Sequence, residues 1–430
     1  MYSESTQERQ PLIMMYSQDG FGLGHMRRTT SIAGQIAQVR PDAGILTMAD
    51  SRLGQFFETG ANHDYLKLPS ILKVGSGDWR AVSLPLPFAD VSALRRELIR
   101  SAVLNFRPHV LLVDHMPHGA MGELLPTLEA LKTSGASTKI VLGLRDILDA
   151  PEVVSRRWRA EGAYEAIERY YDMVLVYGRR EVFDMGEQYD FSPAMRERMR
   201  YSGYICTPQA PRYTARARAK YIPNADKETK LIVAMAGGGA DAYPMMRALL
   251  DALPAIQARQ RCVLALITGP FMPAELRHDL EARAKGLPVR VSMSVGDTLS
   301  YIEAADLVVA MCGYNTTMEI LRSGKRAILI PRAGPSAEQR MRAQLFAAHG
   351  WVEMIDPDDL SSEIVAGAVV ESLRRGPKID SPTRPDLRGL TVAAEQLLAL
   401  LPPVSPEDAP ILDLPLKLEK AEPILVPISA

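Results

Sequence analysis

His25 closes the run Gly20-Phe21-Gly22-Leu23-Gly24-His25, and the next charged residues are Arg27 and Arg28. An imidazole changes charge near neutral pH and is the commonest general base. Glycines in a turn from strand to helix expose backbone N–H groups at the helix N-terminus, which suits a phosphate or another anion. Gly22, Gly24, Arg27 and Arg28 are therefore candidate contacts to a phosphate or an acceptor, and His25 is a candidate base. The third glycine of a dinucleotide-binding G-x-G-x-x-G would fall at His25, and the lysine of a phosphate-binding loop is missing, so neither NAD nor ATP is expected here. The plainer alternative is a surface histidine at a helix start.

Two further segments carry groups of the right type for a phosphorylated sugar. Gly237, Gly238 and Gly239 follow an apolar run, where a phosphate can approach the backbone closely. In residues 307–331 an apolar run breaks at Gly313 into Tyr314, Asn315, Thr316 and Thr317, with Glu319 about one turn into the helix that should follow. Helix N–H groups and hydroxyls suit a diphosphate, and a carboxylate can accept two hydrogen bonds from a ribose diol. The alternative is a threonine N-cap with Glu319 closing a capping box. Glu338 and Gln339 then stand where polar groups can reach a hexose, although their default place is a helix surface.

Other groupings carry less. Asp114, His115 and His118 have metal-ligand types, but no further ligand accompanies them, so no metal is expected; Asp114 and His118 are assigned to acceptor or cleft-wall contacts. Arg145 and Asp146 end a run and read as an ordinary ion pair. Arg156, Arg157, Trp158 and Arg159 suit a solvated helix face, or an anionic lipid or polymer. Cys206, Cys262 and Cys312 lack C-x-x-C spacing, which argues against a zinc site or redox pair and for a reducing compartment.

The elements that position these residues follow from periodicity. Continuous apolar runs at 12–17, 44–49, 110–115, 139–144 and 173–178 suit parallel strands buried on both faces. The segment between the first two places Ile32, Ile36 and Val39 at helical spacing. A second series runs through 231–236, 262–267, 289–294, 307–311, 327–330 and 351–355. This βαβ rhythm, met twice, predicts an α/β chain of two Rossmann-like, doubly wound domains facing a cleft. The expected boundaries are a disordered 1–10, a first α/β domain at 11–206, a linker at 207–228, a second at 229–375, and a C-terminal helix with a proline-rich tail at 376–430. A formal net charge of -1 provides no global field for nucleic acid. No run approaches the length of a membrane helix and the start is polar, so a soluble, cytoplasmic protein is expected.

The order of these motifs resembles the GT-B nucleotide-sugar glycosyltransferases, and within them the group of the lipid-linked peptidoglycan N-acetylglucosaminyltransferase, of family 28 type. The similarity spans about residues 12–375 and is strongest from Asp297 to Gly350, around the pattern Gly-x-x-Thr-x-x-Glu. It implies that 11–206 is the acceptor-side domain and 229–375 the donor domain, that Glu319 holds the donor ribose, that Tyr314, Asn315 and Thr316 lie against the diphosphate, that Glu338 and Gln339 meet the transferred sugar, and that His25 is the base. It also implies metal-independent transfer from a UDP-linked or related donor, with no cofactor, to a glycan, lipid-linked or small-molecule acceptor, at the inner face of the membrane if peripheral. The sequence departs from the family's pattern at the serine of its glycine-rich turn, at the arginine expected around Cys206 and Thr207, and at Arg342 in place of an asparagine. Diphosphate contacts are then expected from Arg27 or Arg28. The alternatives are a nucleotide-sugar hydrolase, which the run Gly24-His25-Met26-Arg27-Arg28 also resembles, and a non-catalytic nucleotide-sugar-binding regulator.

Overall fold

The computed structural model describes residues 10–18, 24–51, 60–73, 79–223, 226–377, 381 and 383–402. The expectations for the first nine residues, for Gly22 and for the proline-rich tail beyond 402 lie outside the described residues. Among the described residues nine strands precede residue 202: β1 Leu12–Ser17, β2 Gly44–Ala49, β3 His63–Lys67, β4 Ile71–Lys73, β5 Trp79–Ala81, β6 Val110–Asp114, β7 Lys139–Arg145, β8 Met173–Tyr177 and β9 Met199–Tyr201. Seven of them form a sheet ordered β3-β2-β1-β6-β7-β8-β9, and β4 pairs with β5 alone. The seven pair in parallel. Every residue of β6 and β8 is buried, which is why these strands read as unbroken apolar runs.

A second parallel sheet combines β10 Lys230–Met235, β11 Cys262–Ile267, β12 Val289–Ser292, β13 Leu307–Ala310, β14 Ala327–Leu329 and β15 Glu353–Met354 in the order β12-β11-β10-β13-β14-β15. Both sheets wind outward from their first strand in one direction and then resume on its other side. The reversal falls between β1 and β6, where Ile13 pairs with Val110, and between β10 and β13, where Ile232 pairs with Leu307. Open α/β sheets bind ligands outside the carboxyl ends of the strands at such reversals. His25 and Asp114 follow or end the strands at the first, and Gly237 and Gly313 at the second.

A single apolar cluster runs from Ile13 and Ile32 of the first sheet layer to Leu231 and Met318 of the second, and takes in Leu390, Ala393 and Leu397. The last three belong to the helix Gly389–Leu398, which returns to the first domain and lies against the helix Gly24–Val39. Its docking is close: the Gly389 N–H donates to Tyr204 O at 3.1 Å, and a Cβ on Gly389 would stand 2.4 Å from the Tyr204 carbonyl carbon. Within Gly24–Val39, Ile32 and Ile36 are buried as their spacing predicts, whereas Val39 is 52% exposed because the helix ends beyond the sheet.

The stretch expected to be a plain linker contains a helix, Thr214–Ala219. Alternating alanines and arginines form it readily, and Arg218 ties it to the second domain through Ala304 O at 2.8 Å and Asp306 Oδ2 at 2.9 Å.

Candidate active site

His25 lies in the first turn of the helix Gly24–Val39, and its Nδ1 is 2.5 Å from Asp114 Oδ2 at the end of β6. Asp114 is fully buried. Arg28, one turn further along the helix and also buried, donates to both carboxylate oxygens: Nη2 to Oδ1 at 2.9 Å and to Oδ2 at 2.8 Å. Burial by itself would raise the Asp114 pKa, but Arg28 and His25 hold it well below the usual carboxylate range. Asp114 is therefore an anion at neutral pH. Accepting the Nδ1–H, it orients the imidazole and leaves Nε2 as the basic nitrogen. The His115 ring stands 5.1 Å from that of His25, centroid to centroid.

This geometry corrects two expectations. Asp114, expected as a phosphate or acceptor contact, is fully buried and spent on Arg28 and His25, while Arg28 is held by Asp114 and borders the small cavity beside Asn315 and Glu319. Tyr314 is likewise withdrawn from a diphosphate role: its ring is buried, its hydroxyl donates to Tyr177 O at 2.9 Å, and it accepts from the Ile205 N–H at 2.9 Å. It joins the two domains, with the Arg28 guanidinium 5.9 Å from its ring centroid.

Across the cleft, Gly313 precedes the helix Tyr314–Ser323 with no side chain capping it. Thr317 Oγ1 donates back to Gly313 O at 2.8 Å, so the capping-box alternative is not what the structure holds, and no side chain among the described residues caps the helix N-terminus. Asn315 Nδ2 reaches Gly24 O of the first domain at 3.4 Å. Gly237 and Gly239 have φ of 59° and 87°, and a Cβ on Gly239 would lie 1.9 Å from Thr268 O, so only glycine fits this turn. The turn lies beside Thr316, whose Oγ1 is 3.5 Å from where a Gly237 Cβ would be.

Glu319 is 4% exposed. Its Oε1 accepts from Arg27 Nη1 at 2.9 Å across the cleft, and its Oε2 from Thr298 Oγ1 at 3.4 Å. Burial raises its pKa, and the Arg27 guanidinium opposes that rise. Arg27 and Glu319 also share the wall of a cavity of about 1090 Å³ between the helix Gly24–Val39, the segment 207–220 and residues 296–301.

Glu338, expected at a hexose or on a helix surface, is buried and paired with two arginines. It is 5% exposed, and Oε1 accepts from Arg145 Nη1 at 3.0 Å and Arg342 Nη1 at 3.1 Å. Arg342 in turn grips Asp146 through Nε at 2.8 Å and Nη2 at 2.7 Å. The Arg145 and Asp146 expected to pair with one another thus pair across the domains instead. Gln339 is half-buried, its Oε1 accepting from the Arg332 N–H at 3.3 Å. His118 Nδ1 lies 3.0 Å from Gly119 O, and no group of three or more metal-ligating side chains occurs among the described residues. Trp158 is buried against Tyr164, Tyr189 and Phe191, which removes it from any surface contact with lipid or polymer.

The links that sequence reading missed, His25 to Asp114, Arg27 to Glu319 and Arg342 to Asp146, join positions far apart in the chain. Only the first had a signal: an aspartate ending an all-apolar strand beside the sheet's reversal.

The model of the glycosyltransferase family 28 C-terminal domain matches residues 232–397. The chain is 29% identical over 150 residues to the UDP-N-acetylglucosamine--N-acetylmuramyl-(pentapeptide) pyrophosphoryl-undecaprenol N-acetylglucosamine transferase of Alkaliphilus oremlandii, covering 35% of this chain and 40% of that protein. It is 28% identical over 163 residues to the same-named enzyme of Bacillus subtilis, covering 38% and 43%. The chain therefore spans about two fifths of the length of these curated relatives. The crystal structure of MurG from Acinetobacter baumannii superposes with a TM-score of 0.57 at 12% identity, over 91% of this chain and all of that one. The protein thus has the two-domain GT-B fold, and residues 232–397 are similar to the glycosyltransferase family 28 C-terminal domain.

Proposed function

We propose that this protein is a glycosyltransferase that moves a sugar from a nucleoside-diphosphate sugar, UDP-linked by analogy with its relatives, to an acceptor hydroxyl. The observation that carries the reading is the His25–Asp114 pair, 2.5 Å apart at the reversal of the first sheet, with the neighbouring Gly24 O reached at 3.4 Å by Asn315 from the helix start at the reversal of the second. His25 Nε2 takes the proton of the acceptor hydroxyl as that oxygen attacks the anomeric carbon, and the bond to the nucleoside diphosphate breaks. Asp114 stabilises the imidazolium that forms. The N-terminus of the helix Tyr314–Ser323, the Gly237–Gly239 turn and Arg27 stabilise the departing diphosphate, while Glu319 binds the ribose diol. The Arg27–Glu319 link means that the donor must share or displace that contact on entry.

The relatives act on a lipid-linked pyrophosphoryl acceptor, which supports an acceptor of the same class here. No helix among the described residues is long and apolar enough to cross a membrane, so a lipid-linked acceptor would be met from the bilayer surface. The experiment is turnover of purified protein with UDP-sugars and a polyprenyl-pyrophosphate glycolipid in vesicles, with His25→Ala as control. Transfer by the wild type and none by the variant is expected; donor hydrolysis at equal rates in the presence and absence of acceptor would overturn the transferase reading.

A further inference from the structure

The cavity beside Glu319 has one wall that the second domain does not supply. Along the helix Gly24–Val39, Arg27, Ser31, Gln35 and Gln38 recur at intervals of four, four and three and line the cavity as one stripe. The opposite face, with Ile32, Ala33 and Ile36, is buried in the core, so the stripe is held rigidly. On the facing wall Asp297 and Ser300 are already spent on the protein. Asp297 accepts from the Ser300 N–H, the Ser300 hydroxyl and the Arg212 N–H, and Ser300 Oγ accepts from the Tyr213 N–H. Among the described residues the side-chain amides of Gln35 and Gln38 make no hydrogen bond to the protein.

A much smaller cavity, lined by Arg27, Arg28, Asn315 and Glu319, adjoins at the inner end. With the ribose on Glu319, the phosphates run inward past Asn315 toward the helix N-terminus at Gly313, and the base must occupy the larger outer cavity. A carboxamide offers a donor and an acceptor side by side, the pattern that matches the edge of a nucleobase. We infer that Gln35 and Gln38 read the donor's nucleobase, so that base selection is shared by the acceptor-side domain. This rests on the reading of Glu319 as the ribose carboxylate. It also makes nucleotide binding a bridge between the domains.

The test is calorimetric titration of the full chain with UDP, GDP, dTDP and CDP, for the wild type, Gln35→Ala, Gln38→Ala and the double variant. Gln35→Glu is added because it preserves length and helix propensity but removes the N–H donors. The nucleotide that the wild type binds most tightly is expected to lose about tenfold in the double variant, the scale of one or two hydrogen bonds, while the others change by about twofold or less. The order of affinities should flatten. Four unchanged affinities, or four falling by the same factor, would overturn the inference. Glu319→Ala separates it from its premise: loss of binding there with none in the glutamine variants sinks only the base reading. No loss in Glu319→Ala, or no nucleotide bound by the wild type, sinks the ribose reading and this one with it.

Discussion

Arg342 of the second domain and Asp146 of the first are joined by two hydrogen bonds, Nε to Oδ2 at 2.8 Å and Nη2 to Oδ1 at 2.7 Å, with both side chains buried. The guanidinium also reaches Glu338 and the Cys312 carbonyl, so all three of its nitrogens are engaged. Charges taken so completely from water are tolerable only while paired, because each bears a desolvation cost of several kcal/mol by itself. The two domains are therefore held together in register at this point.

Removing one partner should be far worse than removing both. Asp146→Ala is expected to destabilise the protein by about 3–5 kcal/mol, and the apolar pair Asp146→Leu with Arg342→Met by much less. Urea unfolding midpoints of the three proteins check this; a cost below about 1 kcal/mol for the single change would mean that the pair is solvated in solution.

At the catalytic pair, His25→Ala should lower turnover by roughly 10²-fold or more, the contribution usual for general base catalysis. Asp114→Asn should also lower it steeply, since an amide favours the other imidazole tautomer. UDP affinity should stay within about twofold in the His25 variant, because that residue meets the acceptor. Steady-state rates and titration calorimetry read the two quantities separately, and unchanged turnover would remove His25 from the mechanism.

Glu319→Ala should weaken UDP binding by about tenfold or more, since a charged acceptor to the ribose diol is lost. Arg27 opposes the burial that raises the Glu319 pKa, so in Arg27→Ala the carboxyl should stay protonated to a higher pH. Any acid-side fall in UDP affinity that follows Glu319 ionisation is then expected to move upward in pH in that variant. Affinities measured between pH 4.5 and 8, with no displacement of the profile, would contradict the coupling.

His115 links stability to pH. Burial, and after it the Arg145 guanidinium, push its pKa well below 6.5, and Nδ1 is buried without a partner among the described residues. The folded protein keeps it neutral while the unfolded chain takes up a proton below about pH 6.5, so this contribution is present above that pH and fades as the pH falls. His115→Gln should lose less stability than the wild type between pH 7 and 5.5. Equal losses in denaturant titrations at the two pH values would show that His115 titrates normally in the fold.

The C-terminal helix can be tested at its first residue. A methyl group on Gly389 would collide with the Tyr204 backbone, so Gly389→Ala should lift the helix from the first domain and lower the melting temperature by several degrees, as about 1–3 kcal/mol of lost packing would. An unaltered melting curve would mean that the docking contributes little.

What the sequence determined by itself was the architecture. Apolar runs such as residues 110–114 can be satisfied only by burial on both faces, and their alternation with amphipathic stretches leaves little but parallel, doubly wound sheets. The glycine turn at Gly237–Gly239 was legible for a local reason: a turn that must approach another backbone excludes side chains. Tertiary structure alone decided which charged groups are spent and which are exposed to a ligand. Arg27 and Arg28 are neighbours of identical type, yet the helix turns one into the cleft, onto Glu319, and buries the other on Asp114. Glu338 and Arg342, written as one turn of a surface helix, become part of a buried pairing with Arg145 and Asp146 nearly two hundred positions away. Helical and strand periods are written in local spacing, whereas the pairing of buried charges depends on which chain segments the two sheets bring to one cleft, and no local spacing encodes that.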